Sequence, residues 1–179
     1  MTNETLAVQH VRKIYASYRA LYAPSVIAEA ARLLDDLADT AARHGHDRSE
    51  ALGGLARYAA DATSSRYSRP QQERDLAELS ELKQALTKAL ADLGLPLAVP
   101  IRSGVAVGPL PDRRGWGWDG QTGLAVGIYL DSNWDLTINQ PHSEAVSIYA
   151  LATPQGAREV AELVHAVMHG EIPDPFRDR

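Results

Sequence analysis

The spacing of apolar side chains changes at Pro96, and no other feature limits the fold of this chain so tightly. Before Pro96 the apolar residues recur every three to four positions, the repeat of one helical face. After it they alternate, the repeat of one face of a sheet. A chain of 179 residues can bury a single core without disulfides or metal staples.

The helical half divides into about four segments. The first is expected from about Glu4 to Tyr22, with Val8, Val11, Ile14 or Tyr15, Tyr18 and Leu21 on its inner face. Pro24 interrupts it, because proline has no N–H to give to the preceding turn. A second helix follows from about Ser25, striped by Val26, Ala30, Leu33, Leu34, Leu37 and Ala41, and stops at His44-Gly45. Asp47 and Glu50 have the spacing of a capping box for a third, with Leu52, Leu55, Tyr58 and Ala59 inward. Gly53 and Gly54 within it cost about 1 kcal/mol each relative to alanine, which close approach of a neighbouring helix is expected to offset. The polar run Thr63 to Ser68 is expected to end that helix. Ser68, Pro70 and Gln71 then open a fourth, whose Leu76, Leu79, Leu82, Leu86, Leu90 and Leu93 form a continuous face reaching Gly94.

Beyond Pro96, Leu97 to Val107 reads as a weak strand or pair of strands. Leu124, Val126, Ile128 and Leu130 alternate, as do Trp134, Leu136 and Ile138, and then Val146, Ile148 and Ala150. Asp131-Ser132-Asn133 and Asn139 to Ser143 read as turns. Thr153 and Pro154 open a closing helix with Val160, Leu163, Val164 and Val167 inward, ended by Gly170. The expected fold class is therefore α+β. An N-terminal bundle of about four helices over residues 1–95 precedes a three- to four-stranded antiparallel sheet with a C-terminal helix packed on it over 96–179. The two halves are read as two units or as one continuous domain.

Charge and composition narrow the function. The net charge of −5 argues against a chain whose main task is coating nucleic acid, since that affinity comes from neutralising phosphates. The absence of cysteine removes disulfides, thiolate metal sites and thiol nucleophiles together. Glu4, Gln9, His10, Arg12, Lys13 and Arg19 break up the N-terminal residues, and no apolar run has the length of a signal peptide core or a membrane helix. The cytoplasm is the expected location, with no membrane partner.

No cluster assembles an acid, a base and a nucleophile. There is no G-x-S-x-G turn and no phosphate-cradling glycine loop, and no cofactor is expected. His165 and His169 lie four apart, the spacing by which a helix offers two imidazoles to one zinc. Both fall off the apolar stripe, so no metal is expected there. The most unusual stretch runs from Pro111 to Gly120, where Arg113, Arg114, Trp116, Trp118 and Asp119 stand among glycines. Tryptophan and arginine are the side chains most enriched at binding hot spots. With Tyr129 and Tyr149 on the adjoining sheet face, this stretch is the expected partner-binding surface; its competing role is a twisted hairpin with both tryptophans in the core.

Helices 2 and 3, joined by a short glycine-containing turn, could pass for a helix-turn-helix presenting Arg48, Arg57, Arg66 and Arg69. The helix–strands–helix order also resembles double-stranded-RNA-binding modules. Those use a basic helix, whereas the last helix here sets Arg158 against Glu159 and Glu162. The leading expectation is a non-catalytic protein-interaction module of the inhibitor, immunity, chaperone or adaptor type, with another protein or a second copy of the chain as partner. A DNA-binding regulator using Arg66 and Arg69 stands second, and a small metal-dependent hydrolase using His165 and His169 third.

Overall fold

A computed structural model describes residues 4–67, 76–96, 104–107, 124–128, 134–138, 145–173 and 175. In chain order the elements are α1 (Leu6–Tyr15), β1 (Leu21–Tyr22), α2 (Pro24–Arg43), α3 (Arg48–Tyr67), α4 (Leu76–Asp92), β2 (Gly104–Val107), β3 (Leu124–Ile128), β4 (Trp134–Ile138), β5 (Ala145–Tyr149) and α5 (Pro154–His169). Helix dominates the described residues. The strands run side by side in the order β1-β5-β4-β3-β2. β1 is parallel to β5, with Leu21 opposite Ile148 and Tyr22 opposite Tyr149. The remaining neighbours pair antiparallel.

This corrects the expected fold class on two points. The sheet is not a purely antiparallel, three- to four-stranded unit confined to the second half, because the parallel pair β1–β5 brings in residues 21–22 from the first. Nor do four helices form one bundle: α1, α2 and α3 pack on one another, while α4 packs against α5 and touches β2. Both departures have a physical cause. Leu21 continues the helical spacing of Ile14 and Tyr18, and a strand of two residues is too short to show an alternation of its own. A leucine stripe, in turn, states that a face must be buried without stating against what.

Where helix ends are set by local hydrogen bonds, they fall near the expected positions. Asp47 Oδ1 accepts from the Glu50 N–H at 2.9 Å and opens α3. Thr153 Oγ1 accepts from the Gly156 N–H at 3.1 Å and opens α5, which closes at Gly170 in the left-handed region (φ 71°). α1, however, stops at Tyr15, where the Ser17 and Tyr18 N–H groups turn back to the carbonyls of Ile14 and Tyr15. α3 runs through the polar stretch to Tyr67. There the Ser64 and Ser65 hydroxyls bond to the carbonyls of Ala60 and Ala62 within the helix, at 2.9 Å each.

One cluster of buried residues spans both halves of the chain. It joins Val11, Val26, Leu34 and Leu52 to Leu86, Leu90, Trp134, Ile148, Val160 and Val164. The inner faces are more alanine-rich than expected: α2 buries Ala31 and Ala38 beside Val26 and Leu34, and α3 buries Ala56, Ala59 and Ala60. Small side chains let α1, α2 and α3 approach closely. Tyr58, expected inward, is instead 62% exposed. Gly53 and Gly54 also lie on the outside. A Cβ on Gly53 would meet only His10 Cε1, at 3.9 Å, and one on Gly54 would meet nothing within 4 Å, so no tight helix crossing accounts for the pair. Among the described residues no helix is long and apolar enough to cross a membrane.

Candidate functional site

The parallel β1–β5 pair places Tyr22 beside Tyr149, and their rings stack at 4.9 Å with planes 7° apart. On its other face Tyr22 stacks against Tyr15 from the last turn of α1, at 3.7 Å and 11°. Tyr18, one turn further along the chain, lies tilted against Tyr15 with centroids 6.4 Å apart. Each hydroxyl with a described partner is tied into the fold. Tyr15 donates to the Ala60 carbonyl at 3.1 Å and Tyr18 to Asp61 Oδ1 at 2.7 Å, which pins the end of α1 to α3. Tyr67, on the last turn of α3, donates to Glu29 of α2, whose other carboxylate oxygen takes Arg66 Nη1 at 2.6 Å.

These surroundings hold the tyrosines as neutral phenols. Burial pushes the Tyr15 hydroxyl up to about 12. Burial raises Tyr22 and Tyr67 as well, and Glu29 adds to the rise at Tyr67. Tyr18 is raised chiefly because its proton is shared with Asp61. The stack therefore supplies shape and hydrogen-bond donors rather than a phenolate nucleophile.

Tyr15, Tyr18 and Tyr22 form one wall of a groove of about 460 Å³, open to solvent. The loop from Ala16 to Ala20 continues that wall, and Ile27 of α2 and Leu163 of α5 supply apolar surface. The far side is the segment after α5, with Ile172, Pro173 and Pro175. Arg19 Nε donates to the Pro175 carbonyl at 3.3 Å and links the two sides. Arg12 also lines the groove; its Nε meets Glu4 Oε1 at 2.9 Å, with both side chains about half exposed (54% and 45%). Ile27, Leu163 and Ile172 remain only half-buried, so the groove keeps apolar surface in contact with water.

Of the expected partner surface, Arg113, Arg114, Trp116, Trp118, Asp119 and Tyr129 lie outside the described residues. Tyr149 is half-buried and stacked on Tyr22. Arg69 likewise lies outside them, while Arg48, Arg57 and Arg66 are exposed on α3. Arg48 bonds Asp39 at 2.6 Å and Asp35 at 2.8 Å, and Arg66 bonds Glu29, so both guanidinium groups already face carboxylates. These contacts join opposite ends of α2 and α3 and make the two an antiparallel hairpin, whereas the helices of a helix-turn-helix cross steeply. His165 and His169 sit with ring centroids 4.1 Å apart, and His165 Nδ1 is 3.9 Å from Glu171 Oε1. Among the described residues no group of three His, Asp or Glu side chains could hold a metal ion.

The groove is hidden in the sequence because Tyr15, Tyr18 and Leu21 follow the spacing of a helical core face. The available signal was the density of tyrosine at positions 15, 18 and 22, which is unusual in a chain with seven tyrosines. Compared with protein-family models, curated proteins and solved structures, the chain matches none.

Proposed function

We propose that the chain is a non-catalytic protein-interaction module, and that the groove between the tyrosine stack and the segment after α5 receives its partner. One observation carries the reading. The groove leaves apolar side chains of Ile27, Leu163 and Ile172 half open to water, while the hydroxyls of Tyr15 and Tyr18 are spent on contacts within the fold. A reaction centre needs groups free to exchange protons or attack; a docking groove needs a rigid wall, apolar surface to desolvate and polar groups at the rim. The groove has the second set. Its size is in the range that takes a few side chains of a peptide.

The test is selection of displayed random peptides on the wild-type chain, followed by counter-screening on Ile172→Asp, a half-exposed position where a charge spoils the apolar surface. Peptides that bind the wild type and lose the variant are expected, with both proteins melting alike. Selected peptides that bind both equally would place the interaction elsewhere.

A further inference from the structure

We infer that the outer face of α3 is a self-association surface. A second copy of this chain docks on it antiparallel, with Gly53 and Gly54 at the crossing point and Glu50 of each copy paired with Arg57 of the other. None of these residues lines the groove, so the inference does not depend on the groove's role.

Three features of this face are unused by the chain's own fold. Glu50 and Arg57 are both exposed and lie two turns apart on one line of the helix, three residues before Gly53 and three after Gly54. Among the described residues, which include all of α3, neither side chain has a hydrogen bond or ion pair, whereas Arg48 and Arg66 on the same helix are held by carboxylates of α2. The other carboxylate on that line, Asp61, takes the Tyr18 hydroxyl at 2.7 Å. Tyr58, one turn beyond Gly54, is exposed. The glycine pair weakens the helix, yet a Cβ on Gly53 would meet only His10 Cε1 at 3.9 Å and one on Gly54 nothing within 4 Å.

Charge selects the occupant. Acid and base stand at equal distances on either side of the glycine pair, so the line reads the same in reverse with its signs exchanged. A twofold axis across the helix between Gly53 and Gly54 sets α3 against its own reversed copy, and each Glu50 then meets an Arg57. A parallel copy would set Glu50 on Glu50 and Arg57 on Arg57. A strongly acidic or basic partner would be attracted at one end of the line and repelled at the other. At the crossing, the missing side chains let the two backbones come closer than the roughly 8–10 Å usual for packed helices. The same register lays Tyr58 over the first turns of the opposing α3 and takes its ring out of water. One helix pair with flanking ion pairs is a small contact, which suits a dimer that forms and separates with concentration.

Sedimentation equilibrium of the full chain over a concentration series tests the inference. The wild type is expected to shift from monomer towards dimer as concentration rises, and to do so less at high salt. Glu50→Arg and Arg57→Glu each turn two attractive contacts into two repulsive ones, and each is expected to weaken association about tenfold or more. An equimolar mixture of these two variants is expected to recover the wild-type affinity, because every contact between positions 50 and 57 then joins opposite charges. Arg32→Glu, the same charge change at an exposed position on α2, is expected to leave association unchanged. Gly54→Gln is expected to raise the melting temperature of the dilute monomer through helix propensity while weakening the dimer, two opposite signs that a glycine needed only by the monomer would not give. A monomer at every concentration overturns the inference. So does a dimer that the charge exchanges leave unmoved, that their mixture does not rescue, or that Gly54→Gln leaves as tight as the wild type.

Discussion

Glu159 of α5 caps the amino end of α2 by accepting two hydrogen bonds from Ser25, one from its backbone N–H at 3.2 Å and one from its hydroxyl at 2.5 Å. The residue at the cap position of α2 is Ala23, which has no side-chain acceptor, so a carboxylate from the far end of the chain takes that role. It also places negative charge at the positive end of the α2 dipole. Glu159→Ala is expected to cost about 1–2 kcal/mol, the range of a lost cap. Chemical denaturation checks it, and a double-mutant cycle with Ser25→Ala is expected to show that the two losses are not additive. Fully additive losses would mean that the pair does not interact in solution.

Three glycines should respond oppositely to the same change. A Cβ on Gly156 would lie 1.6 Å from the Leu151 carbonyl oxygen, a backbone atom that cannot move without reopening the connection between β5 and α5. Gly156→Ala is expected to cost about 3 kcal/mol or more, as a severe overpacking. Gly53→Ala and Gly54→Ala meet ordinary contact or open space, and each is expected to stabilise by about 0.5–1 kcal/mol through helix propensity. Thermal melts of the three variants decide it, and a destabilised Gly54→Ala would show that the exposed face has a constraint of its own.

Thr63 is fully buried, and its hydroxyl has no hydrogen-bond partner among the described residues. An orphaned buried hydroxyl costs about 1–3 kcal/mol of desolvation, whereas a methyl group of the same shape costs nothing polar. Thr63→Val should therefore equal or exceed the wild type in stability, by up to about 1 kcal/mol. A loss of that size instead would reveal a partner for the hydroxyl.

The raised phenols make stability fall in alkali. Below pH 10 the Tyr15 hydroxyl is protonated in both states, so its contribution is fully present. Above that value the unfolded chain releases the proton while the folded chain retains it until about 12, so the unfolded state gains and stability drops with rising pH. Two pKa units correspond to about 2–3 kcal/mol, lost across that window. Tyr22 and Tyr67, raised in the same direction, extend the loss. Denaturant titrations at a series of alkaline pH values should show the decline, and Tyr15→Phe should make it shallower. An unchanged slope in that variant would mean that Tyr15 is not the group responsible.

Features set by near neighbours in the chain were legible in the sequence. Thr153, Pro154 and Gly170 bound α5, Asp47 and Glu50 open α3, and alternating apolar residues mark β3, β4 and β5, because caps and periodicities act over a few residues. Which faces meet was not legible there and followed from the packing of the folded chain. It turned residues 21–22 from a helical tail into a strand beside β5, sent the leucine face of α4 to α5 rather than to the other helices, and gathered Tyr15, Tyr22 and Tyr149 into one stack. It also lent α2 its cap from a residue 134 positions away. Burying an apolar face is favourable against any apolar surface of suitable shape, so the pattern that demands burial does not name the partner; only the closed chain, with every backbone group and every void accounted for, does.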